Sequence, residues 1–174
     1  FHPSRVSTVS RIDYSNDTAT ASPKGPLSAA RYNFAATGNA SFGYFGGGND
    51  GPNKSIVDRI DYSNDTATAV AKGPLSFARR SMGATGNTSF GYFGGGYASD
   101  FHSTVDRIDY SNDTGIAPTK GTLVDKNYKL AAASSRQNAM PIENIVNYAA
   151  GTLGIPNFGY FSGGNGGGYL STVE

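Results

Sequence analysis

Two histidines, His2 and His102, are all the chain offers for imidazole chemistry, and they stand at non-equivalent places in their loops. A histidine metal site or a Ser-His-Asp relay needs a set of partners at fixed geometry, and neither histidine belongs to such a set. Cysteine is absent, which excludes thiol nucleophiles, disulfide frameworks and thiolate metal ligands. Asn49-Asp50-Gly51 lacks the alternating oxygen ligands of a calcium loop. Arg11 with Asp13, Arg59 with Asp61 and Arg107 with Asp109 recur in register. Groups repeated in every copy of a unit read as structural ion pairs rather than as one active site. The expectation is a chain without cofactor, metal or catalytic residue. Sequons at Asn16, Asn39, Asn53, Asn64, Asn87 and Asn112 are turn chemistry unless a host glycosylates them.

Recognition chemistry is better represented. Segments 1–6, 49–54, 97–102 and 165–170 occupy one phase of a repeat yet read Phe-His-Pro-Ser-Arg-Val, Asn-Asp-Gly-Pro-Asn-Lys, Tyr-Ala-Ser-Asp-Phe-His and Asn-Gly-Gly-Gly-Tyr-Leu. Loops that change above a constant scaffold are the usual arrangement for binding. The candidate interaction residues are therefore Asn49, Asp50, Lys54, Tyr97, Asp100, Phe101, His102 and Tyr169. Aromatic Tyr97, Phe101 and Tyr169 favour a sugar or protein contact.

The elements that must position these loops are written in the repeat itself. Arg-Ile-Asp-Tyr-Ser-Asn-Asp-Thr begins at Arg11, Arg59 and Arg107, a period of 48 residues. The marker Gly-Tyr-Phe-Gly-Gly-Gly at Gly43 and Gly91 returns, after a delay of 20 residues, as Gly159-Tyr160-Phe161-Ser162-Gly163-Gly164. Periods of this size mean solenoids, propellers or arrays. In the first copy, Gly and Pro punctuation leaves four strand-like segments, 7–15, 19–22, 32–36 and 41–46. Asn16-Asp17 and Gly38-Asn39 suit tight turns, and 24–28 holds a proline that cannot donate to a ladder, so it reads as a connection. Each copy is expected to be a four-stranded antiparallel meander, with the Gly-Tyr-Phe strand inside and the Arg-Ile-Asp-Tyr strand beside it. Both faces carry apolar groups, so each sheet must lie between neighbours. The repeated structural residues are Tyr44, Phe45, Gly46 and Gly47, then Tyr92, Phe93, Gly94 and Gly95, then Tyr160, Phe161, Gly163 and Gly164. The glycines mark places where another backbone or ring comes close.

Val-x-x-x-Asp-Tyr, then Pro-Leu-x-x-Ala-Arg, then Phe-Gly-Tyr-Phe-Gly-Gly resembles the Kelch motif across essentially the whole chain, with Gly46-Gly47, Gly94-Gly95 and Gly163-Gly164 at its diglycine. The motif's tryptophan is replaced by Ala19-Thr20-Ala21 and Ala67-Thr68-Ala69. The resemblance implies an all-β fold, a segment of a β-propeller made of three four-stranded antiparallel blades. The near-verbatim copies are also similar to repeat-rich virion proteins of tailed phages of marine bacteria. That likeness implies a non-enzymatic structural or adhesion module, located in a virion or outside the cell, whose partners are other virion proteins or a surface glycan. The alternatives are an extracellular filament or cell-surface Kelch-like protein, and a propeller enzyme, for which no copper-ligand set is seen.

One array spans 1–174, with repeat 1 about 7–54, repeat 2 about 55–102 and repeat 3 about 103–170. The third copy carries an insertion near 134–154, in which 141–151 has the proline start, apolar spacing and glycine stop of a short helix. Closed propellers use roughly 4 to 8 blades, so three repeats are expected to need further repeats or sister chains to complete the array. With 14 basic and 13 acidic residues and no Lys/Arg stripe, no nucleic-acid partner is expected, and no apolar stretch is long enough to insert in a membrane.

Overall fold

A computed structural model describes residues 5–134 and 158–165 of the chain. Two-stranded β1 (Val9–Arg11) and β2 (Ser22–Lys24) are followed by a four-stranded sheet of β3 (Ala35–Gly38), β4 (Phe42–Gly46), β5 (Val57–Asp61) and β6 (Val70–Lys72). A second four-stranded sheet comprises β7 (Gly83–Gly86), β8 (Phe90–Gly94), β9 (His102–Asp109) and β10 (Thr119–Asn127). The last pair is β11 (Ala131–Ser134) with β12 (Gly159–Ser162). Each ladder is antiparallel between sequence neighbours, so the fold is all-β, and the one helical turn among the described residues is the 3-10 turn Tyr62–Asn64. As expected, in the two four-stranded sheets the Gly-Tyr-Phe strand lies inside with the Arg-Ile-Asp-Tyr strand beside it: Tyr44 pairs with Arg59 and Tyr92 with Arg107.

Repeat and sheet are out of phase, which corrects the expected division into one meander per copy. The four segments of the first copy are split between β1–β2 and β3–β4. The cause lies in the connection 24–28. Gly25 N donates to Asp65 O of the next sheet at 2.8 Å and Leu27 N to Ser7 O at 2.8 Å, so this stretch is clamped between sheets. A Cβ at Gly25 would collide with the carbonyl of Ala67, and Gly73 stands in the same way against Gly115. Thr122 occupies the phase of Pro26 and Pro74. With the donor restored, β10 runs on for 9 residues and reaches a pairing of Asn127 with His102, whereas β6 stops after 3.

Stacking of the sheets makes the core. Phe93 from the second sheet lies on Gly46 of the first, where a Cβ would come within 2.7 Å of the ring, and Phe161 covers Gly94 likewise at 2.8 Å. Tyr44 stacks on Tyr110 with centroids 4.7 Å apart. Val57, Leu75, Met82 and Ile108 complete this cluster. Gly47, Gly95 and Gly163 adopt φ of 67° to 69°, left-handed values that glycine accepts without a Cβ penalty. Gly-Asn hairpins and Asn-Asp-Thr turns share one end of the sheets, where Asn39 Nδ2 donates to Thr88 O at 3.3 Å. The variable loops and the Gly-Pro connections share the other, where Gly48 N donates to Arg79 O at 3.0 Å. Ser134 pairs with Gly159 in the third hairpin, and the insertion expected near 134–154 lies, after Ser134, outside the described residues. The helix expected over 141–151 lies outside the described residues.

Candidate functional site

At the loop end, the backbones of Arg80 and Tyr97 bridge one another, as do those of Tyr32 and Asn49 and of Tyr128 and Asn165. Position 32 and its equivalents at 80 and 128 therefore hold the first residue of each variable loop. Around Tyr97 this brings together a partly exposed aromatic group. Phe101 and Tyr128 stack at 4.8 Å with planes 7° apart, and Tyr97 lies 5.8 Å from Phe101 and 6.0 Å from Tyr128. The Arg80 guanidinium sits over Tyr97 at 4.7 Å while its Nη1 donates to Asn53 Oδ1 at 2.7 Å, and Lys129 Nζ lies 5.3 Å from the Tyr128 ring. Flat apolar rings edged by fixed cationic donors form a surface for stacking and hydrogen bonding, the combination that a sugar face or a partner's aromatic side chain meets well.

The other sequence-derived candidates have different positions. Asn49 is buried and spends its amide on Gly51 O at 2.9 Å and Asn53 Oδ1 at 3.2 Å, so it builds its loop. Asp50 pairs with Lys54 at 3.1 Å, next to the aromatic group through Asn53, whose Nδ2 donates to Ala98 O at 3.1 Å. Asp100 lies 3.6 Å from Lys126 and caps Phe101 N at 2.8 Å; that backbone bond, first, holds its carboxyl below the ordinary range. His102 turns inward onto Phe77 at 4.7 Å, and burial, then the charge of Arg79, push its imidazole below the ordinary value. Tyr169 lies outside the described residues. Tyr128 and Arg80 were missed as candidates. Their signal was available: Tyr32, Arg80 and Tyr128 share one phase, which is not constant between copies and alternates between an aromatic and a cationic side chain.

The Arg/Asp pairs read from register are also corrected. Asp13, Asp61 and Asp109 accept from the hydroxyl and backbone N–H of Ser15, Ser63 and Ser111, which lowers their carboxyls. A carboxylate two residues before a serine closes its own turn. The arginines reach forward to the next sheet instead. Arg11 meets Asp65 at 2.6 Å and Lys24 joins it at 3.2 Å, while Arg59 and Lys72 meet Asp113 at 2.8 and 3.3 Å. Burial alone would raise the Asp65 carboxyl; the hydrogen bond from Lys24 and the charges of Arg11 and Lys24 outweigh it and hold the group low. Tyr44 adds an O–H bond to Asp113 at 2.9 Å. Burial pushes the stacked Tyr110 hydroxyl up to about 12.

The fully buried ion pairs were not foreseen. Arg31 Nη1 meets Asp58 at 2.7 Å, its Nε and Nη2 donate to Gly47 O and Phe45 O, and Ser28 Oγ donates to Asp58 at 2.6 Å. Arg79, Asp106 and Ser76 repeat this arrangement with Gly95 O and Phe93 O. These guanidiniums lock the connection before each hairpin to the strand two places away. Among the described residues no group of three or more His, Asp and Glu comes together as metal ligands do, and no helix is long and apolar enough to cross a membrane.

No family model and no curated protein matches the chain. Among solved structures, that of YjhT is similar, with a TM-score of 0.68 and 12% identity over 96% of this chain and 48% of that one. At that identity the likeness concerns the fold alone, and the chain spans about half the length of that structure.

Proposed function

We propose that the chain is a Kelch-like β-propeller segment serving as a non-enzymatic structural or adhesion module of a virion, with its variable-loop end directed at a glycan or protein. The observation that carries the binding role is the Tyr97, Phe101 and Tyr128 group with Arg80 over its edge, at the end of the sheets where the sequence varies. Two four-stranded antiparallel sheets in succession, with Phe93 laid on Gly46 and Phe161 on Gly94 of the preceding sheet, support the propeller reading, as does the likeness to a solved structure at a TM-score of 0.68. The non-enzymatic reading rests on how the acidic groups are used: Asp58 and Asp106 face buried arginines, Asp65 and Asp113 join sheets, and Asp13, Asp61 and Asp109 close turns. The virion placement follows the near-verbatim repeat wording.

Two measurements test the proposal. The chain is expected to bind members of a glycan array or a host-surface protein fraction, with Phe101→Ala and Tyr128→Ala each weakening binding about tenfold or more while the circular-dichroism melt is retained. Antibody raised against the chain is expected to label virus particles in the source sample. Binding indifferent to both substitutions would remove the aromatic group from the account, and label on cell-surface filaments would move the module to the cellular alternative.

A further inference from the structure

Two cations beside the aromatic group have no counter-charge. Lys54 is paired with Asp50 at 3.1 Å and Lys126 with Asp100 at 3.6 Å, but neither Arg80 nor Lys129 meets a carboxylate among the described residues. Arg80 lies over the Tyr97 ring and gives Nη1 to Asn53 Oδ1 at 2.7 Å, which leaves Nε and Nη2 free to donate to another molecule. Asn53 also donates through Nδ2 to Ala98 O at 3.1 Å, so one residue fixes the cation and the Tyr97 loop to each other. Lys129 is exposed, with Nζ 5.3 Å from the Tyr128 ring.

The fold does not require either charge. In the phases of Arg80 and Lys129 the first copy has Tyr32 and Asn33, and the second has Ser81 where the third has Lys129. Asn33, Ser81 and Lys129 all adopt the left-handed conformation, with φ of 57°, 57° and 59°. Backbone bonds fix it from sheet to sheet: Ser81 N donates to Asn33 O and Lys129 N to Ser81 O, each at 2.7 Å. Asparagine enters this region more readily than lysine, so Lys129 holds a backbone that its own type disfavours. Strain kept at an exposed cation without a partner in the chain points to a role in binding.

The chemistry of the surface selects among ligands. The acceptors beside the rings are already engaged: Asn53 Oδ1 receives Arg80 and Asn49, while Asp50 and Asp100 face lysines. Each hydroxyl of a sugar donates as well as accepts and would need those oxygens, whereas a carboxylate only accepts. Tyrosine, phenylalanine and arginine together are also the residues enriched where proteins meet. We propose that this loop end docks an acidic segment of a partner protein, its carboxylates meeting Arg80 and Lys129 and an aromatic side chain of the same segment resting on Tyr97, Phe101 and Tyr128. The inference rests on the binding part of the proposed function, whose ligand class it narrows, and not on the virion placement.

Titration calorimetry with four polymers tests it: a glutamate–tyrosine copolymer, polyglutamate, polygalacturonate and dextran. The copolymer is expected to bind more tightly than the other three, and to weaken as salt rises from about 50 to 300 mM. Lys129→Asn, which installs the residue found at position 33, is expected to weaken the copolymer about threefold or more, and together with Arg80→Gln about tenfold or more. The single variant should melt no lower than the unaltered chain, because asparagine suits that backbone. Phe101→Ala is expected to bring the copolymer down to the affinity of polyglutamate. Polygalacturonate or polyglutamate equal to the copolymer, dextran as the sole ligand, no polymer bound, or copolymer binding indifferent to both cations would each overturn the acidic segment. Glycan-array binding that needs Phe101 and Tyr128 but persists without copolymer binding would remove this inference alone. Indifference to both rings in every assay would remove the functional reading with it.

Discussion

Phe93→Ala tests the stacking of sheet on sheet. The ring is fully buried and lies on Gly46, which has no side chain to move into the space, while Tyr44, Val57 and Met82 around it are held by their own strands and contacts. A site that cannot collapse sits toward the costly end of the range for phenylalanine truncation, about 3–5 kcal/mol. For a chain of this size that corresponds to a fall in melting temperature of roughly 6–20 °C. Phe45 is the same residue in the same phase, but it faces the two-stranded β1–β2 rather than a four-stranded sheet, and it remains partly exposed. Phe45→Ala should therefore cost less, about 1–2 kcal/mol. Lys54→Ala, which removes a surface ion pair with Asp50, should stay within about 0.5 kcal/mol. Urea denaturation followed by circular dichroism at one fixed protein concentration measures all three, because association would otherwise add a concentration-dependent contribution. Equal costs for the two phenylalanines would refute the reasoning, since only the neighbouring sheet distinguishes them.

Arg79→Ala leaves Asp106 buried without its cation and should cost about 3–5 kcal/mol. The double variant Arg79→Asn, Asp106→Ser, which removes both charges together, should recover at least half of that in thermal melts; no recovery would show that the stranded charge is not the cause. His102 has its imidazole lowered from 6.5 by burial and then by Arg79, so folding opposes its protonation. The stability this contributes is complete above the unfolded value and is lost as pH falls below it and through the lower folded value. His102→Gln should flatten the corresponding slope of melting temperature between about pH 8 and 5; a slope unchanged by the substitution would place that titration elsewhere.

Turn positions and the sharing of ends were legible along the chain because they depend on contacts between near neighbours: Asn39 closing its hairpin onto Ser41 and Phe42, or Asp61 bonding Ser63. Two strand placements were not: the segments expected at 19–22 and 32–36 run instead over Ser22–Lys24 and Ala35–Gly38. Tyr44, Phe93 and Phe161 were legible as core because their phase with the glycines is repeated, whereas Phe45 and Tyr92 remain partly exposed and Tyr160 is exposed. Two of the three rings of the aromatic loop group, Tyr97 and Phe101, could be read from one variable segment, but Tyr128 enters from a connection and joins it through a bridge to the loop phase. The boundary of the sheet could not be read locally. Ten residues separate β2 from β3, and ten separate β4 from β5, so chain length favours neither pairing. The sequence by itself determined a 48-residue unit with alternating strands, proline-bearing connections and glycines spaced for close approach. Only the tertiary structure decided that the sheet runs across the repeat boundary, because a buried charge must be matched where it is buried. Arg31 reaches Asp58, and Arg79 reaches Asp106, only when the strand after the variable loop joins the hairpin before it.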